Sequence, residues 1–142
     1  MQGQTLSWVQ SEQQWRDAKA FYAHHHAGRV LRKERIAVLM NAREQWLACA
    51  RLRTVGEVQL LVGVLVEAAL RGQGVAAALL ESLQPMFTSR QSYLFCEPSL
   101  TALYQRHGFV SCEQPAPPLV PLLARYRRQQ SLVCMHYQGS FE

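Results

Sequence analysis

No apolar run in the sequence approaches the roughly 18 residues needed to cross a bilayer as a helix, so a membrane span is not expected. The opening Met1-Gln-Gly-Gln-Thr5 lacks the basic-then-apolar pattern of a secretory leader, and a cytoplasmic location is the expectation. Close cysteine pairs are missing as well. The four cysteines, Cys49, Cys96, Cys112 and Cys134, are far apart and each sits in an apolar, strand-like stretch. That spacing argues against both a disulfide framework and a zinc site, and buried free thiols are expected instead. Internal repeats and domain boundaries are absent too. At 142 residues, one domain covering the whole chain is expected.

Lysine is scarce: two lysines stand beside thirteen arginines, and the formal net charge is +5. A surplus of this sign favours an anionic partner, either a phosphorylated small molecule or nucleic acid. Short basic groups occur at 29–35 and 125–128, but most of the arginines are scattered. Neither stacking aromatics nor a recognisable reading helix accompanies them, so the sequence disfavours nucleic acid.

Periodicity divides the chain into short elements. Leu6–Val9 reads as a strand, and Ser11 with Gln14 three residues on forms a capping box opening a helix over 12–23. His24, His25 and His26 follow. Three consecutive histidines cannot share one helix face, so they predict a solvated helix end rather than a metal site. Strands are expected at 36–40 and 45–53, the second alternating Trp46, Ala48, Ala50 and Leu52 against Leu47, Cys49, Arg51 and Arg53. Thr54-Val-Gly-Glu57 turns the chain into the nearly unbroken apolar run Val58–Val66, a buried strand in an antiparallel meander. Gly63 interrupts that run and marks a bulge that would expose the peptide groups of Val64, Leu65 and Val66.

Beyond the strand, Val75–Gln84 patterns as a helix stopped by Pro85, and Ser92–Cys96 as a strand parallel to the central one. A helix over 100–107 ends at Gly108, followed by a strand at 109–112. The rigid Gln114-Pro-Ala-Pro-Pro118 leads to a helix at 119–130 with Arg125, Arg127 and Arg128 on its polar side. A last strand at 131–137 closes the sheet.

The segment Arg71-Gly-Gln-Gly-Val-Ala76 carries the chemistry. Strand, glycine turn and helix together aim backbone N–H groups and a helix N-terminus at an anion. A phosphate loop of the G-x-x-x-x-G-K-[ST] kind needs a lysine and a hydroxyl that are not there. A dinucleotide fingerprint fails because residue 77 is alanine and the preceding meander does not suit a doubly wound sheet. The pattern Q/R-x-x-G-x-G/A fits, with Arg71, Gly74 and Ala76 at its fixed positions.

With this loop, the bulged strand before it and Leu103-Tyr104-Gln-Arg-His-Gly108-Phe109 after it, the sequence resembles the GNAT N-acyltransferase superfamily over nearly its whole length. The resemblance implies an α+β fold of the α/β layered kind: a mixed, mostly antiparallel sheet of six or seven strands flanked by helices. It also implies an N-acetyltransferase that uses acetyl-CoA and no metal, with direct attack by a primary amine of a small molecule or protein. Val64, Leu65 and Val66 would pair with the pantetheine arm. The pyrophosphate would lie on Arg71, Gly72, Gln73, Gly74, Val75 and Ala76. Tyr104 matches the family's tyrosine that protonates the departing thiolate, and Glu57 is the nearest match to its general base. The sequence departs from the family at Glu97, where many members have asparagine, and at Leu100, where alanine is usual. An acyl-CoA-binding domain without activity is the alternative reading, against which Tyr104 weighs; a basic nucleic-acid-binding protein is the next. The resemblance leaves a homodimer open.

Overall fold

The computed structural model describes residues 3–139; Met1 and Gln2, which begin the opening stretch discussed above, lie outside them. Its elements are β1 (Thr5–Trp8), α1 (Glu12–His24), β2 (Arg35–Met40), β3 (Trp46–Val55), β4 (Val58–Val66), α2 (Val75–Leu83), β5 (Ser92–Cys96), α3 (Thr101–Gln105), β6 (Phe109–Ser111), α4 (Val120–Arg127) and β7 (Val133–Tyr137). The strands form one mixed sheet in the order β1-β2-β3-β4-β5-β7-β6, the layered α+β arrangement expected. β4 and β5 are parallel, in register from Gln59↔Ser92 to Leu61↔Leu94, as a strand–helix–strand connection demands. β7 does not close the sheet at its edge. It runs antiparallel to both β5 and β6 and lies between them. The chain condenses into two compact units, one of residues up to Arg53 with Val62–Leu83, the other of Thr54–Leu61 with residues from Gln84 onward.

In the first unit, the capping box that opens α1 is present in full. Ser11 Oγ accepts the Gln14 N–H at 3.0 Å, while Gln14 Oε1 accepts the N–H of Ser11 at 3.1 Å. A cap of this kind stabilises a helix by about 1 kcal/mol. Ala18 and Tyr22, four apart on one helix face, pack with Ile36, Val38, Cys49 and Leu65 in the core. β3 is buried on both faces from Leu47 to Leu52. Arg51, on the face shared with Cys49, therefore has to be paired where it is buried. Its Nη1 donates to Glu34 Oε1 at 3.2 Å and to the Arg29 carbonyl, and Arg53 Nε donates to Glu34 Oε2 at 2.9 Å. The Glu34 side chain is fully enclosed between the two guanidinium groups.

In the second unit, Phe87, Tyr104, Phe109 and Tyr137 form an aromatic cluster with ring centroids 5.1–6.2 Å apart, edge-to-face except for the tilted Phe87–Tyr137 pair. The helix expected over 100–107 is the five-residue α3 behind a 3₁₀ turn at Pro98–Leu100. The helix expected over 119–130 is likewise only Val120–Arg127, after a 3₁₀ turn at Pro117–Leu119. In both segments a proline-led tight turn replaces the first helical residues. Arg127 ends α4 by folding its guanidinium back onto the Leu132 carbonyl at 3.0 Å. α4 flanks a cavity of about 720 Å³ lined in part by Val120, Leu123, Cys112 and Cys134. Among the cysteines, Cys49, Cys96 and Cys134 are buried free thiols and Cys112 is half-buried. Burial pushes the Cys49 thiol up to about 12, with the Arg51 charge pulling the other way, and burial likewise raises Cys134 to about 12.

Candidate active site

β4 supplies the frame of the site. Gly63 adopts φ +62 in mid-strand, the left-handed conformation found at glycine bulges. Its carbonyl accepts the Tyr22 hydroxyl at 2.6 Å, and a Cβ at this position would stand 2.8 Å from both Nε and Nη2 of Arg51. Glycine is therefore required twice over, by backbone conformation and by the close approach of Arg51. Beyond the bulge Leu65 is buried in the core under α1, while Val64 and Val66 alternate to the other face and are half-buried.

The chain leaves β4 through Glu67 and a single 3₁₀ turn, Ala68–Leu70, into the loop. Arg71, Gly72, Gln73 and Gly74 are exposed, with Gly72 at φ +80 and Gly74 at φ +81. Nothing lies within 4 Å of where a Cβ would project from either glycine. The N–H groups of Gly72, Gln73 and Gly74 have no protein acceptor among the described residues. Val75 then opens α2, whose first-turn amides point the same way by helix geometry. An exposed backbone of unpaired donors, a positive helix end and one guanidinium fit a pyrophosphate dianion. Among the described residues, no group of three or more His, Cys, Asp or Glu is placed to hold a metal ion.

His25 departs from the sequence reading. Instead of a solvated helix end, its side chain is 3% exposed, with Nδ1 2.8 Å from the Phe21 carbonyl. A carbonyl only accepts, so Nδ1 carries a proton. Nε2 faces Glu67 Oε2 at 3.1 Å and the Ala68 N–H at 3.4 Å. The histidine thus fastens the C-terminal end of α1 to the point where β4 gives way to the turn before the loop. His24 and His26 are exposed, as the sequence reading has them. The distinction was invisible in a run of three identical residues. The signal that could have found it is the carboxylate at 67, at the strand's exit.

Of the other residues singled out, Val64, Leu65, Val66 and the whole of Arg71–Ala76 lie together in the first unit, and Glu57 and Tyr104 belong to the second. Glu57 is exposed in the two-residue turn joining β3 to β4. Tyr104 is 6% exposed on α3 and edge-on to Phe109. Burial pushes its phenol well above the ordinary tyrosine value, with a smaller push from Cys96, so the hydroxyl is held as an O–H donor.

A mixed sheet whose central strand carries a left-handed glycine, followed by an exposed amide-rich loop and a helix, defines the acyl-CoA N-acyltransferase class of fold. The sequence matches the family model described as Acetyltransferase (GNAT) domain over residues 32–111, more than half its length, and the chain belongs to that family. It is an acyltransferase. No curated protein matches it by sequence.

Among solved structures it is similar to the ribosomal-protein-S18-alanine N-acetyltransferase from Escherichia coli. That likeness has a TM-score of 0.65 and 16% identity, covering 98% of this chain and 96% of the other. A GNAT family acetyltransferase from Elizabethkingia anophelis with acetyl-CoA bound gives 0.63 at 10% identity, covering 97% and 99%. Spermidine N-acetyltransferase from Vibrio cholerae, in complex with CoA and spermine, gives 0.58 at 14% identity, covering 96% of each chain. At these identities the likenesses establish the fold.

Proposed function

We propose that the whole chain acts as one N-acetyltransferase domain that moves an acetyl group from acetyl-CoA to a primary amine. The loop Arg71–Ala76 carries this reading. Its glycines are left-handed and uncrowded, its amides are unpaired, and α2 begins directly behind it. When bound, acetyl-CoA would supply the thioester carbonyl that the amine attacks directly, nitrogen replacing sulfur. The peptide groups of Val64, Leu65 and Val66 would align the pantetheine arm as an added strand and help polarise the carbonyl. Tyr104, kept protonated by burial, would give its proton to the departing thiolate. Glu57 is the proposed base for the incoming ammonium.

Calorimetry with acetyl-CoA tests the coenzyme half: saturable binding that Arg71→Ala weakens is expected, and no binding at millimolar coenzyme refutes it. Release of free CoA thiol on addition of amines tests the transfer half. Binding without release against a broad amine panel would leave an acyl-CoA-binding domain instead.

A further inference from the structure

The face of α1 that looks toward residues 28–32 encloses a cavity of about 360 Å³, the size of a site for a small organic molecule. Trp15 and Lys19 of α1 line it together with Arg29, Val30, Leu31 and Arg32, and no acidic residue does. The Arg32 guanidinium lies 3.7 Å from the Trp15 ring centroid and the Lys19 ammonium 4.6 Å from it. Arg32 is already neutralised, its two Nη atoms donating to Glu12 at 2.6 and 2.9 Å. Lys19 and Arg29 have no carboxylate partner among the described residues.

The cavity wall is tied to the bulge of β4. The Arg29 carbonyl accepts from Arg51, whose guanidinium rests against Gly63. Behind that carbonyl Arg51 is held by Glu34, and its Nε is buried without a hydrogen-bond partner.

We propose that this cavity holds the carboxylate of the acceptor, so that the substrate is an amine that also bears a carboxylate, as an amino acid does. The inference rests on the acetyl-transfer reading above. Lys19 and Arg29 receive the carboxylate by charge-assisted hydrogen bonds, the Trp15 ring, Val30 and Leu31 cover the adjoining carbon chain, and the connection through Arg51 keeps the cavity beside the bulged strand. The coenzyme phosphates, which have their own donors beyond the C-terminal end of β4, are not its ligand.

Thiol release is measured for alanine, lysine and phenylalanine against ethylamine, cadaverine and phenethylamine, pairs that differ only by the carboxylate. A charge-assisted contact supports a kcat/KM advantage of roughly tenfold or more for the amino acids. In Lys19→Gln/Arg29→Gln that ratio falls toward one. Equal use of both members, or an undiminished ratio in the variant, overturns the proposal. So does a proportional loss of acetyl-CoA affinity, which would give the cavity to the coenzyme.

A second arm needs no turnover. Quenching of tryptophan fluorescence by N-acetylphenylalanine, with CoA present, is compared with quenching by its neutral amide. Preferential, salt-sensitive binding of the acid that Lys19→Gln/Arg29→Gln abolishes supports the carboxylate site, and equal or absent binding of the two removes it. Should no amine release thiol while acetyl-CoA binds, the transfer reading fails, and this arm still decides what the cavity recognises.

Discussion

Replacing Gly63 by alanine probes the centre of β4 with a single methyl group. An L-residue at φ +62 costs about 1–2 kcal/mol in backbone strain. The added Cβ would also meet Arg51 Nε and Nη2 at 2.8 Å and Tyr22 Cε1 at 3.1 Å. A free arginine would swing away at little cost. This one is held by Glu34 and the Arg29 carbonyl, and pulling it out of a buried pair costs up to about 3–5 kcal/mol.

The two terms together predict a loss of up to about 4–7 kcal/mol, a large share of the roughly 5–15 kcal/mol of a typical domain. For a chain of this length that is a fall of roughly 10 °C or more in Tm. Urea unfolding followed by circular dichroism measures it. The reasoning makes a sharper claim in the Arg51→Met background, where Arg53 still holds Glu34 but the clash is gone. There Gly63→Ala should cost the backbone term of about 1–2 kcal/mol and the lesser adjustment of Tyr22, leaving a coupling of up to about 3–5 kcal/mol between the two positions. A Gly63→Ala protein within about 0.5 kcal/mol of its parent would refute the argument. An identical loss in both backgrounds would leave strain and remove the contact.

Other expectations follow from the same geometry. Tyr104→Phe should reduce kcat by about 10²-fold with acetyl-CoA affinity nearly intact; unchanged turnover would return the residue to packing against Phe109. His25→Ala removes the ring's hydrogen bond to the Phe21 carbonyl, which keeps the backbone N–H of residue 25 at 3.3 Å, together with the ring's contact to Glu67, and should cost about 1 kcal/mol, whereas a loss below about 0.5 kcal/mol would mark the ring as dispensable. Cys49 gives a pH dependence with a definite sign. Its folded thiol titrates at about 12 while an unfolded one titrates near 8.5, so its contribution is intact below about pH 8.5 and lost as pH rises toward 12. At pH 10 the loss is about 2 kcal/mol, read as a lower urea midpoint than at pH 8, and Cys49→Ala should lack that part of the decline. An equal decline in the variant would sink the assignment.

The parts of the fold that were legible in the sequence are those whose cause is local. The apolar run Val58–Val66, the Ser11–Gln14 box and the glycines at 63, 72 and 74 each announce a backbone conformation, and each is found. Features set by distant partners were not legible. Arg51 and Glu34 are 17 residues apart, and nothing in either segment says that they meet in the core. His25 is distinguished from its two neighbours only by Glu67, on the far side of three strands in sequence. The insertion of β7 between β5 and β6 depends on the path of the long connection through α4, which periodicity does not record. For the site, the loop is readable because its chemistry is carried by main-chain donors and glycines. The cavity beside α1 was not, because its cations look like ordinary surface residues until the helix and the 28–32 segment come together.

The uneven burial of the four thiols has a practical side. Cys49, Cys96 and Cys134 are enclosed, and Cys112 alone is half-open, at the rim of the cavity beside α4. A maleimide fluorophore added briefly to the folded protein should therefore mark a single position. Its emission would then report what enters or leaves that hollow, with no cysteine needing to be engineered. The same openness means that any colorimetric reading of released coenzyme thiol starts from a background of about one reactive sulfur per chain, which Cys112→Ser would remove.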